Sequence, residues 1–198
     1  MKCLVVVAHP LPDSLCRSLA RLAADRLEAA GHEVTIEDLY GSGFAPALTE
    51  AERRSYYAAA FDASAVAGEA ARLADAEALV LVFPTWWYGF PAVLKGWFDR
   101  VWAPGIAFDH AADFGPIKPR LKLRHALAVT TLGSPWWIDT LVLWQPVRRI
   151  LRLAIFGACA RGARFTMLSL HSAENPPRQR VERFERRIAA VLDRWPAR

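Results

Sequence analysis

KCLVVVAHPLPDSL, residues 2–15, is the stretch from which the fold can be read. Residues 2–8 form a continuous Val/Leu run without alternation, the pattern of a strand buried on both faces of a parallel sheet. HPLPDS follows as a loop. From Ser14 onward Leu15, Leu19, Leu22 and Leu27 recur at helical spacing, with Asp13 or Ser14 as N-cap and Gly31 closing the C-terminus. The unit is therefore strand, loop, helix, and the rest of the chain repeats it. Strands are expected at 33–39, 78–83, 124–131 and 163–170. A Gly- and Pro-containing loop at 41–48 precedes a helical region at 49–75, and an apolar helix is expected over 139–156. Pro91 suits the first position of a helix reaching Trp102, whose apolar stripe is Val93, Leu94, Trp97, Phe98 and Val101. Residues 103–122 read as an irregular excursion. The closing helix, 177–194, carries Val181, Phe184, Ile188 and Val191 as its stripe.

Strands alternating with helices five times specify one doubly wound α/β domain over 1–198, its parallel sheet covered by helices on both faces. Ligands of such sheets bind outside the carboxyl ends of the strands. Those ends carry His9-Pro10, Pro84-Thr85-Trp86, Thr130-Thr131-Leu132-Gly133 and His171.

The chain's 198 residues, 54% of them apolar, supply ample core for one domain. The longest uncharged run, 78–94, contains Pro84, Gly89 and Pro91, so it reads as strand and loop, not as a membrane span. The short apolar run of MKCLVVVAHP lacks the features of a signal peptide, which makes a cytoplasmic protein the expectation. Cys3, Cys16 and Cys159 have no CxxC spacing, disfavouring a disulfide framework and a zinc site; no metal is expected. The net charge of +5 comes from arginines scattered over helices, so no nucleic-acid partner is expected, although a mildly basic surface suits an anionic dinucleotide.

GxGxxG after the first strand, GxxxxGK[ST], GxSxG and HExxH are all absent, which removes support for nucleotide-fold dehydrogenases, P-loop enzymes, serine hydrolases and zincins. What remains is a loop with His9 and Ser14 at a helix N-terminus, where free N–H groups and the helix dipole favour an anion such as phosphate. Taken singly, His9 reads as a strand-end histidine or a ligand and Ser14 as a plain N-cap or a ligand. FPTWWYGFPAVLKGWFDRVW, residues 83–102, holds four of the eight tryptophans, and its Trp86-Trp87-Tyr88 run is a partner interface, a core corner or the wall of a flat ligand. Together these loops suit one ligand with a phosphate tail and a planar apolar head.

Four stretches then resemble the NAD(P)H:quinone oxidoreductase family of flavodoxin-like proteins: VVVAHPLPDSL at 5–15, EDLYGSGFAPALT at 37–49, the aromatic stretch at 83–102, and TTLGS at 130–134. They stand in family order over roughly two thirds of the chain, and the Pro-x-x-Trp-x-x-x-Pro-Ala-x-Leu-Lys-Gly-Trp pattern is the most specific of them. The resemblance implies a five-stranded flavodoxin-like sheet of order 2-1-3-4-5. It also implies a flavin, FAD in preference to FMN, with NAD(P)H as co-substrate. His9, Ser14, Leu15 and Cys16 match the flavin phosphate and ribityl loop. Pro84, Thr85, Trp86, Trp87 and Tyr88 match the loop against the isoalloxazine, and Thr130, Thr131, Leu132 and Gly133 the loop at its pyrimidine edge. Cys16 stands where relatives often have Asn, and Leu132 where Gly is common. The mammalian enzyme's Tyr and His downstream of TTLGS have no match, because SPWWIDTLVLW is shorter.

The implied activity is ping-pong hydride transfer from NAD(P)H through flavin N5 to a quinone-like acceptor, in a homodimer. Catalytic residues are not assigned. Tyr88, Phe90, Trp136 and Trp137 are candidates for the acceptor slot, and the rings of the 91–102 helix serve either the core or the dimer. The alternative within the same family is a flavin-bearing regulatory partner of a potassium efflux system.

Overall fold

The computed structural model describes residues 1–111 and 115–196; part of the 103–122 excursion, residues 112–114, lies outside the described residues. Strand β1 (Lys2–Val7) runs up the middle of the molecule and helix α1 (Leu15–Ala29) returns. Ser14 caps α1 through its hydroxyl, which accepts the Arg17 N–H at 3.4 Å, and Gly31, at φ 79°, takes the left-handed position just beyond the helix end. Strand β2 (Glu33–Asp38) is an edge with a mostly exposed outer face. Helix α2 (Glu50–Ser55) and helix α3 (Ala67–Asp75) lead to β3 (Ala78–Pro84), which is buried at every residue. Helix α4 (Ala92–Val101) comes next, then a small antiparallel pair, β4 (Phe108–Asp109) with β5 (Lys118–Pro119), inside the excursion read as irregular. Strand β6 (His125–Thr131), short helices α5 (Pro146–Arg149) and α6 (Phe156–Cys159), strand β7 (Arg164–Leu170) and helix α7 (Arg178–Leu192) complete the chain.

The main sheet is parallel, ordered β2-β1-β3-β6-β7, which is 2-1-3-4-5 among its own five strands. Alternate side chains face two separate cores. Leu4, Val6, Leu79, Leu81 and Phe83 meet α3, α4 and the 147–160 segment, while Val5, Val7, Val80 and Val82 meet α1 and α7. This two-sided burial explains the unbroken apolar runs of β1 and β3.

Three expectations need correction. The 49–75 region is not one helix: α2 stops at Ser55, and a 3₁₀ turn at Ser64–Val66 precedes α3. Pro91 is the N-cap of α4, one residue before the helix, with ψ 144°, as its own fixed φ readily allows. The 139–156 helix is broken into wide π turns at Ile138–Val142 and Ile150–Ile155 around α5. Trp144 and Gln145 take left-handed φ of 58° and 51° immediately before Pro146, whose ring cannot sit inside a continuous helix.

The stripe of α4 behaves as read. Trp97 is fully buried and its Nε1–H donates to Glu37 at 2.5 Å, and Phe98 and Trp102 pack edge-on beside it. The rings of this helix are therefore core, not dimer contacts. Gly96 has a reason of its own, since a Cβ there would come within 2.1 Å of the Pro46 carbonyl oxygen. Only glycine lets α4 press against the 44–48 loop.

Candidate functional site

At the carboxyl ends of β1, β3, β6 and β7 the loops converge on a two-part cleft. The larger part, about 530 Å³, lies between Trp86, Trp87 and Tyr88 on one side and Leu132, Gly133 and Ser134 on the other. The smaller, about 290 Å³, is bordered by His9, Pro84, Thr131 and Ala173. Thr85, Trp86, Leu132, Gly133 and Glu174 border both parts, so the two form one elongated site.

Its most unusual element is the 86–89 turn. The Gly89 N–H donates to the Trp86 carbonyl at 2.9 Å, closing a two-residue turn in which Trp87 and Tyr88 have φ of 49° and 56°. Positive φ at both central positions normally calls for Asn or Gly, and bulky residues there cost roughly 1–2 kcal/mol each. The strain is used to present a ring: Trp87 is 96% exposed and Trp86 42%. A core would bury them, so the local reading as a core corner fails for these two side chains.

The opposing loop is held from three sides. The Thr85 N–H donates to the Thr131 carbonyl at 2.8 Å, the Ala173 N–H to Leu132 at 2.8 Å and the Ser172 N–H to Ser134 at 3.0 Å. Thr130 is wholly buried and bonds the Thr85 hydroxyl at 2.6 Å, so its side chain supports the cleft without lining it. Behind the same loop His171 Nε2 meets the buried Asp139 carboxylate at 3.2 Å.

At the other end Leu11 N–H donates to His9 Nδ1 at 3.1 Å, which places the ring proton on Nε2. Burial, aided by the Arg17 guanidinium, holds His9 below the ordinary imidazole value. The ring is thus a neutral donor beside the α1 N-terminus. Arg17 grips the loop from behind, donating to the His9 carbonyl and pairing with Asp38. Cys16 turns its thiol into the core, 3.6 Å from Thr131 Oγ1, and burial pushes it up to about 11. Its backbone is what remains for a ligand, as with the half-buried Leu15 beside it.

Of the acceptor-slot candidates, the structure brings Tyr88 to the cleft. Phe90 instead packs inward between Phe83 and Phe98, and Trp136 and Trp137 stand exposed on the loop beyond Ser134. Glu174 and Ser134 were missed by the sequence reading; an acid just past the fifth strand's carboxyl end was the available signal for the first. Among the described residues no cluster of metal-ligating side chains exists. Rings, backbone amides and a helix N-terminus can hold a planar head with an anionic tail, but they offer no nucleophile–base pair. The residues fit a flavin on the structure's own terms: Ser134 Oγ, at the larger part, is buried without a partner among the described residues.

The family model described as flavodoxin-like fold matches residues 1–159. The ribosyldihydronicotinamide dehydrogenase [quinone] of Pongo abelii is 34% identical over 151 residues, 67% of this chain and 64% of that protein. The chain therefore spans just under two thirds of that relative's length. NAD(P)H dehydrogenase [quinone] 1 of Rattus norvegicus is 27% identical over 98% of this chain and 79% of its own. Among solved structures, the NAD(P)H:quinone oxidoreductase of Methanothermobacter marburgensis superposes with a TM-score of 0.83 at 25% identity, covering 99% of each chain.

Proposed function

We propose that this chain, which belongs to the flavodoxin-like fold family, is a flavin-dependent NAD(P)H:quinone oxidoreductase working as a homodimer. The observation that carries the reading is the strained 86–89 turn facing the 131–134 loop next to the α1 N-terminus. It makes a slot for a flat head and a socket for its phosphate. The quinone reductases to which the chain is similar support the substrate class.

Trp86, Trp87 and Tyr88 would flank the ring system, the backbone of 131–133 would meet its polar edge, and the N–H groups of Leu15 and Cys16 with His9 Nε2 would hold phosphate beside the Ser14 N-cap, whose own N–H donates to the Leu11 carbonyl. When bound, a flavin supplies the hydride chemistry, taking two electrons from NAD(P)H and delivering them to a quinone. The protein's part is to bind, orient and exclude water. Donor and acceptor use one slot in turn, so the kinetics are ping-pong. The mammalian enzyme's Tyr and His downstream of TTLGS have no match in this chain, so solvent supplies the protons. FAD is expected over FMN, and the mass of the released cofactor decides between them.

Steady-state oxidation of NADH or NADPH with menadione or benzoquinone tests the proposal. Turnover supports it. Stoichiometric flavin without turnover favours the regulatory partner, and a colourless protein unable to take up flavin removes both readings.

A further inference from the structure

We propose that Glu174 is the residue that recognises the hydroxylated chain between the planar head and the phosphate, and so sets the site's preference for ribityl-bearing flavins; this rests on the flavin reading above. The larger part of the cleft offers walls for a head and the smaller part, with His9 and the α1 N-terminus, a place for an anion. A ligand spanning both must pass its linker over the residues common to the two. Those are Thr85, Trp86, Leu132, Gly133 and Glu174. The Thr85 hydroxyl is already bonded to Thr130 at 2.6 Å, and Trp86, Leu132 and Gly133 bring no oxygen in their side chains. Trp86 offers an indole N–H as donor there, and Glu174 carries the charged acceptor at the junction.

Glu174 is also given room by its neighbour. A Cβ on Gly133 would lie 2.8 Å from Glu174 Oε1, so the glycine leaves the space the carboxylate fills. The carboxylate has no cation and no hydrogen-bond donor among the described residues, and sits on the loop anchored by the Ala173 and Ser172 N–H groups. A carboxylate without protein donors is an acceptor for adjacent hydroxyls, and charge-assisted bonds are about twice as strong as neutral ones. The same charge close to a phosphate would be unfavourable, which is why the assignment is to the linker and not to the tail.

The test is fluorescence titration of flavin-free wild type, Glu174→Gln and Glu174→Ala with FMN, riboflavin and lumiflavin, the last lacking the ribityl hydroxyls. Glu174 is exposed, so the urea midpoints of the variants should match wild type. Glu174→Ala is expected to weaken FMN and riboflavin by about tenfold to a hundredfold and to leave lumiflavin unchanged, with Glu174→Gln intermediate. Equal losses for all three flavins, no loss for any, or tighter FMN in the alanine variant would overturn the assignment. Wild type binding none of the three would overturn the flavin reading itself and this assignment with it.

Discussion

The hydroxyls of Thr85 and Thr130 lie 2.6 Å apart and tie the carboxyl ends of β3 and β6 together directly beneath the cleft. Thr130 has no solvent contact, whereas Thr85 is partly exposed and can turn to water. Thr130→Val should therefore cost about 1 kcal/mol, the net worth of one hydrogen bond. Adding Thr85→Val should cost little more, because both partners are then gone. Urea unfolding of the single and double variants checks this, and fully additive losses would show that the two hydroxyls act independently.

Trp87 is strained for a purpose, and the purpose can be separated from stability. Glycine at φ 49° relieves the left-handed penalty while enlarging unfolded-state entropy, and the two effects nearly offset. Since Trp87 is 96% exposed, little packing is lost. Trp87→Gly should unfold within about 1 kcal/mol of wild type yet retain flavin or turn over quinone several-fold less well. Unchanged retention and turnover would remove Trp87 from the site.

What the sequence made legible was whatever repeated with a period or sat beside a breaker. The runs of β1 and β3 and the stripe Val93, Leu94, Trp97, Phe98 and Val101 are buried as their spacing demanded. The break at Trp144 and Gln145 was obscured because apolar residues, Leu141 to Trp144 before it and Val147, Ile150 and Leu151 after it, recur on both sides, although Pro146 marked it. In the candidate site, strand ends located the loops, but side-chain direction was not readable. Cys16, Thr130 and Phe90 point into packed interior, Trp136 and Trp137 are solvent-exposed, and Glu174 borders the cleft from a loop without periodicity. Such directions follow from φ and tertiary packing, which one-dimensional pattern does not carry.

Glu52 and Arg100 form a buried ion pair, with side chains 2% and 4% exposed and 2.8 Å between Nη2 and Oε1. Glu52 also closes the capping box of α2, accepting the Thr49 N–H at 2.7 Å. Burial alone would raise its pKa, but the Arg100 guanidinium and the Thr49 hydrogen bonds outweigh it and hold the carboxyl below the usual range. Arg100→Met strands a buried charge and should cost about 3–5 kcal/mol. The depressed carboxyl makes the pair's contribution complete above the ordinary carboxylate pKa and lost as pH falls through the folded value. Glu52→Gln should therefore show a shallower acid loss in urea melts than wild type; parallel curves would contradict the pairing.

His125 opens β6 at the opposite end of the sheet, 8% exposed and 5.3 Å from the Trp195 ring. Burial first, then Arg164, Arg124 and His32, lower its pKa from the ordinary 6.5. On acidification the unfolded chain takes up this proton before the folded one, so the contribution is full above about pH 6.5 and declines as pH falls toward the folded value. Unfolding free energies measured from pH 7.5 to 5 should fall less steeply for His125→Leu than for wild type. An identical slope would mean that His125 titrates alike in both states.

The break in the 139–156 segment leaves Leu141, Trp144 and Leu153 between 62% and 68% exposed, with Ile150 and Val142 beside them. Large apolar side chains exposed together in one segment suit an interaction site. With the α4 rings buried in the core, this face is the one assigned to the proposed homodimer. A two-fold interface uses the same patch on both copies, so each substitution acts twice. Leu141→Glu with Leu153→Glu places four carboxylates in a desolvated contact and should convert a species of two chain masses into one in sedimentation experiments. Both side chains are exposed in the single chain, so its urea stability at low concentration should be retained. A double variant that still sediments as two chains would exclude this face as the dimer contact.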